Sequence, residues 1–489
     1  MQWTNRFFKH FCDSQGAFLS PLSARNLPQP SMVAWSSACA ASTGLARGDA
    51  DWLAAMTSSQ APQGAQPCAT VYSGHQFGQW AGQLGDGRAL LLGEVRTEQG
   101  HFELQLKGSG RTPYSRGGDG MAVLRSSIRE FLCSEAMAGL GIPTTRALAL
   151  AASPQPVVRE TVETAAVVLR CAPSFIRFGH FEHFAAAGDK AGLQKMADFV
   201  CEQFYPETAA YPSADERRYV ALLDAVCGRT AQLISQWQAV GFCHGVMNTD
   251  NLSIVGLTLD YGPFGFLDTF DAHHICNHTD EQGRYAYARQ PQVAHWNLGC
   301  LAQALSLLVI DHGALAECLK KYATTFNRLH TAAFLSKLGI CEHPQQAAEH
   351  SDLVARTLQC LHEARADMTL FFRRLSHAAS SQDFAPVRDI CVNPAVFDAW
   401  LSRYLAACAQ DGQDAQARSL KMLLCNPKYI LRNHLAEAAI RKASDENDFA
   451  ELNTLLQLLA NPYEEQAAMD AYADLPPAWA QTLSVSCSS

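Results

Sequence analysis

The polar side chains of residues 242–287 form the densest polar cluster in this 489-residue chain. His244 lies near its start, and Asn251 and Asp260 follow it. An asparagine oxygen and a carboxylate are hard ligands that suit a magnesium ion bridging phosphate groups. Asp250, next to Asn251, adds a carboxylate that could accept a proton. Together these residues predict phosphate-transfer chemistry that depends on a divalent cation.

The spacing of this cluster matches that of a protein-kinase catalytic loop. Such a loop has the order His-Arg-Asp, an Asn five residues after that Asp, a short strand and then Asp-Phe-Gly. His244, Asn251 and Asp260 keep this frame. Val246, however, stands at the position of the catalytic base and cannot accept a proton. The sequence offers Asp250 as a carboxylate instead.

Two alternatives remain for these acids. They could be caps and turn residues of a loop, although three separate matches in the right chain order argue against that interpretation. Asp268 and Asp271 also form an acidic pair, and their spacing does not exclude metal binding. We prefer Asp260 as the ligand because it follows a short alternating strand at Leu257–Leu259 and precedes Gly262.

A glycine-rich segment, residues 74–88, could bind an anion. Closely spaced glycines such as Gly85 and Gly87 allow backbone N–H groups to turn toward a phosphate. Arg88 adds a full charge and several hydrogen-bond donors. Gly-Asp-Gly is also an ordinary turn, so the segment alone does not establish a site.

Lys107 is a second candidate for phosphate binding. In kinase-like folds a strand lysine holds a nucleotide phosphate while it pairs with a glutamate of the following helix. Glu130 and Glu135 both belong to the helix that is predicted next. Glu135 falls on the apolar stripe of that helix and Glu130 does not, so the pattern alone does not choose the partner. A solvated lysine at the end of a strand is the alternative.

The elements that must position these residues indicate an α+β fold. Alternating residues predict a β-hairpin over Arg88–Val95 and His101–Lys107, and a second strand pair near Thr145–Leu150 and Ala165–Arg170. Residues 1–65, which mix Pro, Ser and Ala, are expected to be an N-terminal extension packed on a larger unit. Helical spacing predicts helices at Met121–Leu140, Leu193–Tyr205 and Glu216–Val240, and an almost wholly helical chain from about Pro291 to the end.

The composition excludes several classes of protein. With 48% hydrophobic and 17% charged residues, the chain is typical of globular proteins and unlike disordered or fibrous ones. Lys and Arg total 38 against 47 Asp and Glu, so the net charge of −9 gives no reason to expect nucleic acid as a partner. We identify no signal peptide and no membrane span, and we expect a cytoplasmic protein.

The 17 cysteines are scattered without any Cys-x-x-Cys spacing, which is not the pattern of a cysteine-ligated metal cluster. Most are expected to be buried as small apolar residues. Cys487 differs because it stands near the end of the chain, where a mobile and accessible thiol is easily arranged. An inert tail cysteine is the alternative.

These motifs resemble those of the selenoprotein O family, kinase-like proteins that transfer AMP from ATP to protein hydroxyls. The resemblance runs from about Tyr72 to the last residue. Its motifs in this chain are Tyr72-Ser-Gly-His-Gln-Phe-Gly, Gln83-Leu-Gly-Asp-Gly-Arg, Thr112-Pro-Tyr-Ser-Arg-Gly-Gly-Asp-Gly, Gly141-Ile-Pro-Thr-Thr-Arg-Ala-Leu, Arg177-Phe-Gly-His-Phe-Glu, His244-Gly-Val-Met-Asn-Thr-Asp-Asn, Asp260-Tyr-Gly-Pro-Phe-Gly-Phe-Leu-Asp, Gly283-Arg-Tyr and Asn426-Pro-Lys-Tyr-Ile-Leu-Arg-Asn.

The resemblance implies a protein-kinase-like, two-lobed fold with a helical C-terminal extension. The N-lobe, a sheet with one helix, would span residues 66–185. The C-lobe, with the catalytic and metal loops, would span residues 186–330. Residues 1–65 would precede the lobes, and residues 331–489 would form a helical C-terminal region with a redox-active tail.

The resemblance also implies roles for individual residues. ATP would bind in an orientation reversed from that of ordinary kinases, so that its α-phosphate meets the attacking hydroxyl. Asp250 would take the proton, and Asn251 and Asp260 would hold magnesium or manganese. For the helix, the family pattern favours Glu130 as the partner of Lys107. The nucleotide would contact Gly85, Gly87, Arg88, Lys107, Asp119, Gly120, Arg170, Arg177 and Asp260.

Some members of this family carry selenocysteine near the C-terminus, where this chain has Cys487. We expect Cys487 to form a reversible disulfide. Cys276 is the expected partner because it lies downstream of the metal loop, where activation segments occur. Such a bond would make activity depend on redox conditions.

Three functions are therefore compared. The first is transfer of AMP from ATP to Ser, Thr or Tyr of partner proteins by an enzyme that is expected to be monomeric. The second is an inactive nucleotide-binding scaffold of the pseudokinase type, which the loss of the acid at Val246 favours. The third is a phosphotransferase for small molecules, because the opening His244-Gly245 also resembles that of antibiotic kinases. Val246 counts against the third function.

Overall fold

The computed structural model describes residues 1–14, 16–213 and 215–483. Strands dominate as far as Ala172, and α-helices dominate after it. The chain is therefore α+β, as the hydrophobic pattern predicts. The strands in the described residues are β1 (Gln2–Trp3), β2 (Leu19–Pro21), β3 (Ser31–Trp35), β4 (Cys68–Thr70), β5 (Ser73–Gln76), β6 (Gln79–Gln83), β7 (Ala89–Thr97), β8 (Gly100–Lys107), β9 (Ala122–Val123), β10 (Arg146–Val158), β11 (Val162–Ala172), β12 (Phe242–Cys243) and β13 (Gly265–Phe266).

The main sheet is antiparallel and, within the described residues, contains nine strands in the order β2-β4-β7-β8-β11-β10-β3, with β1 beside β7 and β9 beside β11. The predicted hairpin is confirmed, since β7 and β8 pair from Ala89 opposite Lys107 to Thr97 opposite Gly100. The second predicted strand pair is also confirmed. It is longer than expected, because β10 and β11 continue as far as Val158 and Val162.

The alternating residues of β8 face two different environments, because successive side chains of a strand point to opposite faces. Leu104 and Leu106 belong to a core cluster that also contains Trp52. Glu103 and Lys107, on the other face, are buried among polar partners. Side-chain alternation in this strand therefore places apolar residues in the core and the candidate phosphate-binding residue Lys107 on the opposite face.

The first 65 residues contribute strands to this sheet. In the described part of that segment, β1 pairs with β7, β2 with β4, and β3 with β10. Trp52 and Met56, which lie in a helix of the segment, are buried in the same core cluster as Leu104. The segment is therefore part of the sheet and not only packed against it, a role that its short strands do not reveal in the sequence.

The predicted helices at residues 121–140 and 193–205 are confirmed with ends shifted by one to three residues, and the helix at residues 216–240 has the predicted ends. One core cluster contains Phe131, Leu223 and Leu455, so the helix beneath the sheet shares its core with the helical part. The helices in the described residues are α1 (Arg6–Phe11), α2 (Ser37–Thr43), α3 (Asp49–Thr57), α4 (Leu124–Gly139), α5 (Phe178–Ala186), α6 (Lys190–Phe204), α7 (Glu216–Val240), α8 (Gln290–Leu305), α9 (His312–Leu338), α10 (Ala347–Ala364), α11 (Met368–Ser381), α12 (Ala385–Arg388), α13 (Pro394–Asp411), α14 (Ala415–Cys425), α15 (Asn433–Glu446) and α16 (Ala450–Leu459).

The end of α4 shows how closely the C-terminal helices approach the sheet domain. A Cβ atom placed on Gly139 would lie 2.1 Å from the carbonyl oxygen of Leu459, so only glycine permits this contact between α4 and α16.

Among the helices that the structure describes, none combines the length and the apolar character needed to cross a membrane.

Candidate active site

A cavity of about 800 Å³ lies between the main sheet and the loops that follow α7. It is open to solvent and large enough for a nucleotide. The lining includes every residue that the resemblance assigns to nucleotide, metal or proton transfer, namely Gly85, Gly87, Arg88, Lys107, Asp119, Gly120, Arg170, Arg177, Asp250, Asn251 and Asp260.

Three cationic side chains meet at the carboxylate of Asp260. Lys107 Nζ lies 3.2 Å and Arg170 Nη1 2.6 Å from its Oδ1 atom, and Arg177 Nη1 lies 2.7 Å from Oδ2. Burial opposes ionisation of Asp260, but the three cations outweigh burial and hold its pKa well below the usual range. Asp260 is therefore an anion in a strongly cationic environment.

Glu130 of α4 forms ion pairs with two of these three cations. Its Oε2 atom lies 2.5 Å from Lys107 Nζ, and its Oε1 atom lies 3.0 Å from Arg170 Nη1. Glu135, the other candidate, pairs instead with Arg146 at 2.7 Å. The tertiary structure thus selects Glu130 as the partner of Lys107, a choice that helical spacing left open.

Asp250 lies in a short 3-10 turn, Thr249–Asn251, and is buried. Gln76 donates a hydrogen bond to its Oδ2 atom at 3.2 Å, whereas Oδ1 has no hydrogen-bond partner among the described residues. Burial raises the pKa of Asp250 to about 6, against the opposing charge of Arg177. A carboxylate with a free oxygen and a pKa near neutrality is suited to general-base catalysis.

The residues around this turn fit a magnesium ion. Asn251 donates through Nδ2 to the carbonyl of Val246 at 3.0 Å, which leaves Oδ1 as the acceptor of its side chain. The Oδ1 atom of Asn251 and the carboxylate of Asp260 provide hard oxygen donors at one cavity. His244 has a different role: burial lowers its pKa to about 4, and its neutral ring stacks on Trp237.

The second acidic pair belongs to other parts of the structure. Asp268 accepts a hydrogen bond from Arg432, and Asp271 accepts one from the backbone of His273. Neither acid is among the described residues that line the cavity. The short strand predicted before Asp260 does not form as a regular ladder, because Thr258 makes only isolated bridges.

The glycine turn is shaped by a neighbouring loop. A Cβ atom on Gly87 would lie 2.9 Å from the carbonyl oxygen of Tyr114, and one on Gly85 would lie 2.5 Å from the Tyr114 ring. Asp119, at the other end of that loop, forms an ion pair with Arg159 at 2.8 Å. These glycines therefore allow close packing of two loops at the rim of the cavity, in addition to any contact with a phosphate.

Gln76 and Arg159 are among the site residues that sequence reasoning did not single out. Gln76, which contacts Asp250, stands inside the glycine-rich motif and could have been chosen there for its polar side chain. Arg159 comes from the tip of the β10–β11 hairpin, about forty residues from its partner Asp119, and no local signal points to it.

Of the two cysteines in the predicted disulfide, the structure describes Cys276. Cys276 Sγ donates to the carbonyl of Cys243 at 3.4 Å. It also lies against the loop that follows β12, since a Cβ atom on Gly245 would be 2.7 Å from Cys276 Sγ. Cys487 lies outside the described residues, so its pairing stays a prediction.

Comparison with known proteins agrees with these features. The family model described as "Protein adenylyltransferase SelO" matches residues 3–460. A "Protein nucleotidyltransferase YdiU" of Cupriavidus pinatubonensis is 52% identical over 502 aligned residues, which cover 98% of this chain and 94% of the relative. Proteins of the same name from Variovorax paradoxus and Burkholderia pseudomallei are 54% and 52% identical, with at least 94% of each relative covered.

Both the matched length and the identity are far above what a shared fold alone produces. The chain therefore belongs to the SelO family of protein adenylyltransferases and is a nucleotidyltransferase enzyme.

Proposed function

We propose that this enzyme transfers AMP from ATP to Ser, Thr or Tyr hydroxyls of partner proteins. The observation that carries the proposal is the convergence of Lys107, Arg170 and Arg177 on Asp260 in a cavity that also contains Asp250. Cations that neutralise phosphate charge, and a carboxylate that can accept a proton from the nucleophile, suit nucleotidyl transfer to a hydroxyl.

The cationic residues bind and orient the phosphates of ATP. Lys107 and Arg170 are held in place by Glu130, so their side chains lose little freedom when a phosphate arrives. Arg177 is fixed by a hydrogen bond to the carbonyl of Asp250 at 2.7 Å. We propose, from the family resemblance, that these contacts leave the α-phosphate facing the attacking hydroxyl.

The hydroxyl oxygen forms a bond to the α-phosphorus, the bond from that phosphorus to the α–β bridging oxygen breaks, and pyrophosphate leaves. Asp250 accepts the proton of the attacking hydroxyl at Oδ1, the oxygen that has no partner in the described structure. Gln76 holds the other oxygen and so fixes the orientation of the carboxylate. Asn251 and Asp260 would hold the magnesium ion, which neutralises charge on the phosphates when it is bound.

We further propose that residues 66–185 and residues 186–330 are the N-lobe and the C-lobe of a protein-kinase-like fold. Strands β1, β2 and β3 of residues 1–65 extend the sheet of the N-lobe. The lysine–glutamate pair beneath the sheet and the acidic loop across the cavity support this assignment. The helical region after residue 331 would be an extension of the C-lobe.

Labelled ATP tests the proposal. The protein and a protein substrate are incubated with ATP labelled in the α- or the γ-phosphate. Label retained on protein from the α-position only is the expected result. Retention from the γ-position only would indicate a phosphotransferase, and no retention from either position would indicate the inactive scaffold that Val246 suggests.

A pair of variants links the label to the site. Asp260→Ala should abolish transfer, because it removes a proposed metal ligand and the carboxylate that forms ion pairs with Lys107, Arg170 and Arg177. Asp271→Ala is the matched control: it removes a half-exposed acid of the same region that does not line the cavity, and transfer should be unchanged.

A further inference from the structure

Outside the cavity, three potential metal ligands from different elements lie together. His75 comes from β5, Glu182 from α5 and Cys300 from α8. One ligand atom of each lies within 4.8 Å of the other two. In a tetrahedral zinc site, bonds of about 2.0–2.3 Å place ligand atoms roughly 3.5 Å apart, so small side-chain rotations would bring these three onto one ion.

One oxygen of the Glu182 carboxylate lacks a hydrogen-bond partner among the described residues. Its Oε1 atom lies 2.6 Å from His75 Nδ1. No described group donates a hydrogen bond to its Oε2 atom, although Glu182 is only 3% exposed. Burial raises the pKa of Glu182, an effect that the nearby Thr249 hydroxyl and His75 oppose. A buried carboxylate oxygen without a donor is destabilising, and a bound cation would remove that penalty.

The charges of the cluster also suit a divalent ion. A carboxylate and a thiolate together carry two negative charges, and a neutral imidazole adds none, so an ion of charge +2 would give a neutral set in a buried place. Cys300 is buried, and its thiol would release its proton when the ion binds, because only the thiolate is a metal ligand. His75 is the least buried of the three, with 24% of its side chain exposed, and gives the ion a route of entry.

We propose that His75, Glu182 and Cys300 bind a thiophilic divalent ion of the zinc class, at a site separate from the magnesium ligands of the active site. Nitrogen, oxygen and sulfur donors together favour zinc over magnesium, which prefers oxygen alone. With three protein ligands, the fourth position is left for water.

The proposed metal site is next to the 3-10 turn Thr249–Asn251. The backbone N–H of His75 donates to Thr249 Oγ1 at 2.8 Å, and the next residue, Gln76, holds Asp250. An ion on His75 would therefore tie the β5–β6 hairpin to α5 and α8 and restrict the movement of the residues that orient Asp250.

Cobalt binding tests the proposal, because a thiolate ligand gives Co²⁺ a charge-transfer absorption that oxygen ligands do not produce. The full chain is stripped with a chelator and titrated with Co²⁺ in excess Mg²⁺, which occupies sites made of oxygen alone. We expect the thiolate absorption to saturate near one equivalent of Co²⁺ and to disappear when Zn²⁺ is added.

Variants assign the absorption to the cluster. Cys300→Ser should abolish it and weaken Co²⁺ binding by more than tenfold. Loss of a residue that only contacts a ligand lowers metal affinity by roughly 10–100-fold, and loss of the ligand itself should lower it at least as much. Cys318→Ser, which changes a buried cysteine of the neighbouring helix α9, should leave both unchanged. His75→Gln provides a second test on a partly exposed side chain and should weaken binding by at least tenfold.

The proposal is overturned if Cys300→Ser keeps the thiolate absorption, if His75→Gln binds Co²⁺ as tightly as the unchanged chain, or if no thiolate absorption develops. The unfolding temperature of each metal-free variant is measured in parallel. In the unchanged chain Zn²⁺ should raise that temperature, because an ion that binds only the folded state stabilises it, and Cys300→Ser should lose this shift.

Discussion

Arg170 Nη1 lies 2.6 Å from Asp260 Oδ1 and so joins the main sheet to the loop that carries the proposed metal ligands. The same nitrogen lies 3.0 Å from Glu130 Oε1. One guanidinium, only 2% exposed, thus bridges a strand, a helix and a loop that lie far apart in the chain. When phosphates enter the cavity, this guanidinium is already positioned to meet them.

Replacing Arg170 tests whether AMP transfer needs the shape of the guanidinium in addition to its positive charge. Arg170→Lys keeps the charge, but a single ammonium cannot reproduce the fork that reaches Glu130, Asp260 and Gln105. We expect kcat/KM for AMP transfer to fall by about 10–100-fold, the effect of losing one or two charge-assisted hydrogen bonds. Steady-state kinetics with labelled ATP measures this, and unchanged kcat/KM would contradict the role given to the fork.

The two glutamates of α4 offer a matched pair of variants. Glu130→Gln removes the partner of Lys107 and Arg170, and we expect AMP transfer to fall by about 10–100-fold. Glu135→Gln removes the partner of Arg146, and neither residue lines the cavity. It should lower the free energy of unfolding by about 1.5–3 kcal/mol and leave kcat/KM nearly unchanged.

Urea unfolding and transfer assays on both variants separate the two roles. If Glu135→Gln impaired transfer as much as Glu130→Gln does, the assignment of Glu130 as the supporting residue of the active site would fail.

The pH dependence of transfer should report Asp250. Burial raises its pKa to about 6, and only the ionised form can accept a proton. The value of kcat/KM should therefore rise about tenfold per pH unit below pH 6 and level off above it. Asp250→Asn should lower kcat strongly, weaken ATP binding much less, and remove this acidic limb.

Measurement of kcat/KM between pH 5 and 8, with ATP binding followed separately, checks this prediction. A profile that keeps the same limb in Asp250→Asn would show that another group titrates. Unchanged turnover in that variant would remove the role of Asp250 as the base.

Gly74 should be sensitive to a single methyl group. A Cβ atom there would lie 2.7 Å from Thr249 Oγ1 and 3.4 Å from the backbone nitrogen of Asp250. Gly74→Ala should therefore displace the catalytic turn and reduce kcat by about tenfold or more, because small misplacements of reacting groups are costly. Gly299→Ala is the control: a Cβ there meets no atom within 4 Å, and activity should be unchanged.

The predicted disulfide between Cys276 and Cys487 is tested by mass mapping of the oxidised protein. Closure should reduce transfer, because Cys276 lies against the catalytic loop at Gly245, and a reductant should restore it. Cys276→Ser should keep transfer under both conditions. Pairing of Cys276 with its neighbour Cys243, or a free Cys487 after oxidation, would contradict the prediction.

Local patterns were sufficient for most elements near the site. The β7–β8 hairpin follows from alternation between Ala89 and Lys107, and α7 matches its predicted range because Glu216 and Gly241 mark its two ends. Strands β1, β2 and β3 were missed. Each is short, and its place in the sheet depends on pairing with strands that come much later in the chain.

The sequence by itself determined the kind of chemistry and the residue types for it, because the spacing of His244, Asn251 and Asp260 and the glycine turn are properties of short segments. Only the tertiary structure placed Glu130, and not Glu135, beside Lys107, and placed Asp260, and not Asp268, in the lining of the cavity. Each choice depends on which side chains from distant segments share a buried space, where an unpaired charge is strongly unfavourable and an opposite charge within about 3 Å makes burial tolerable.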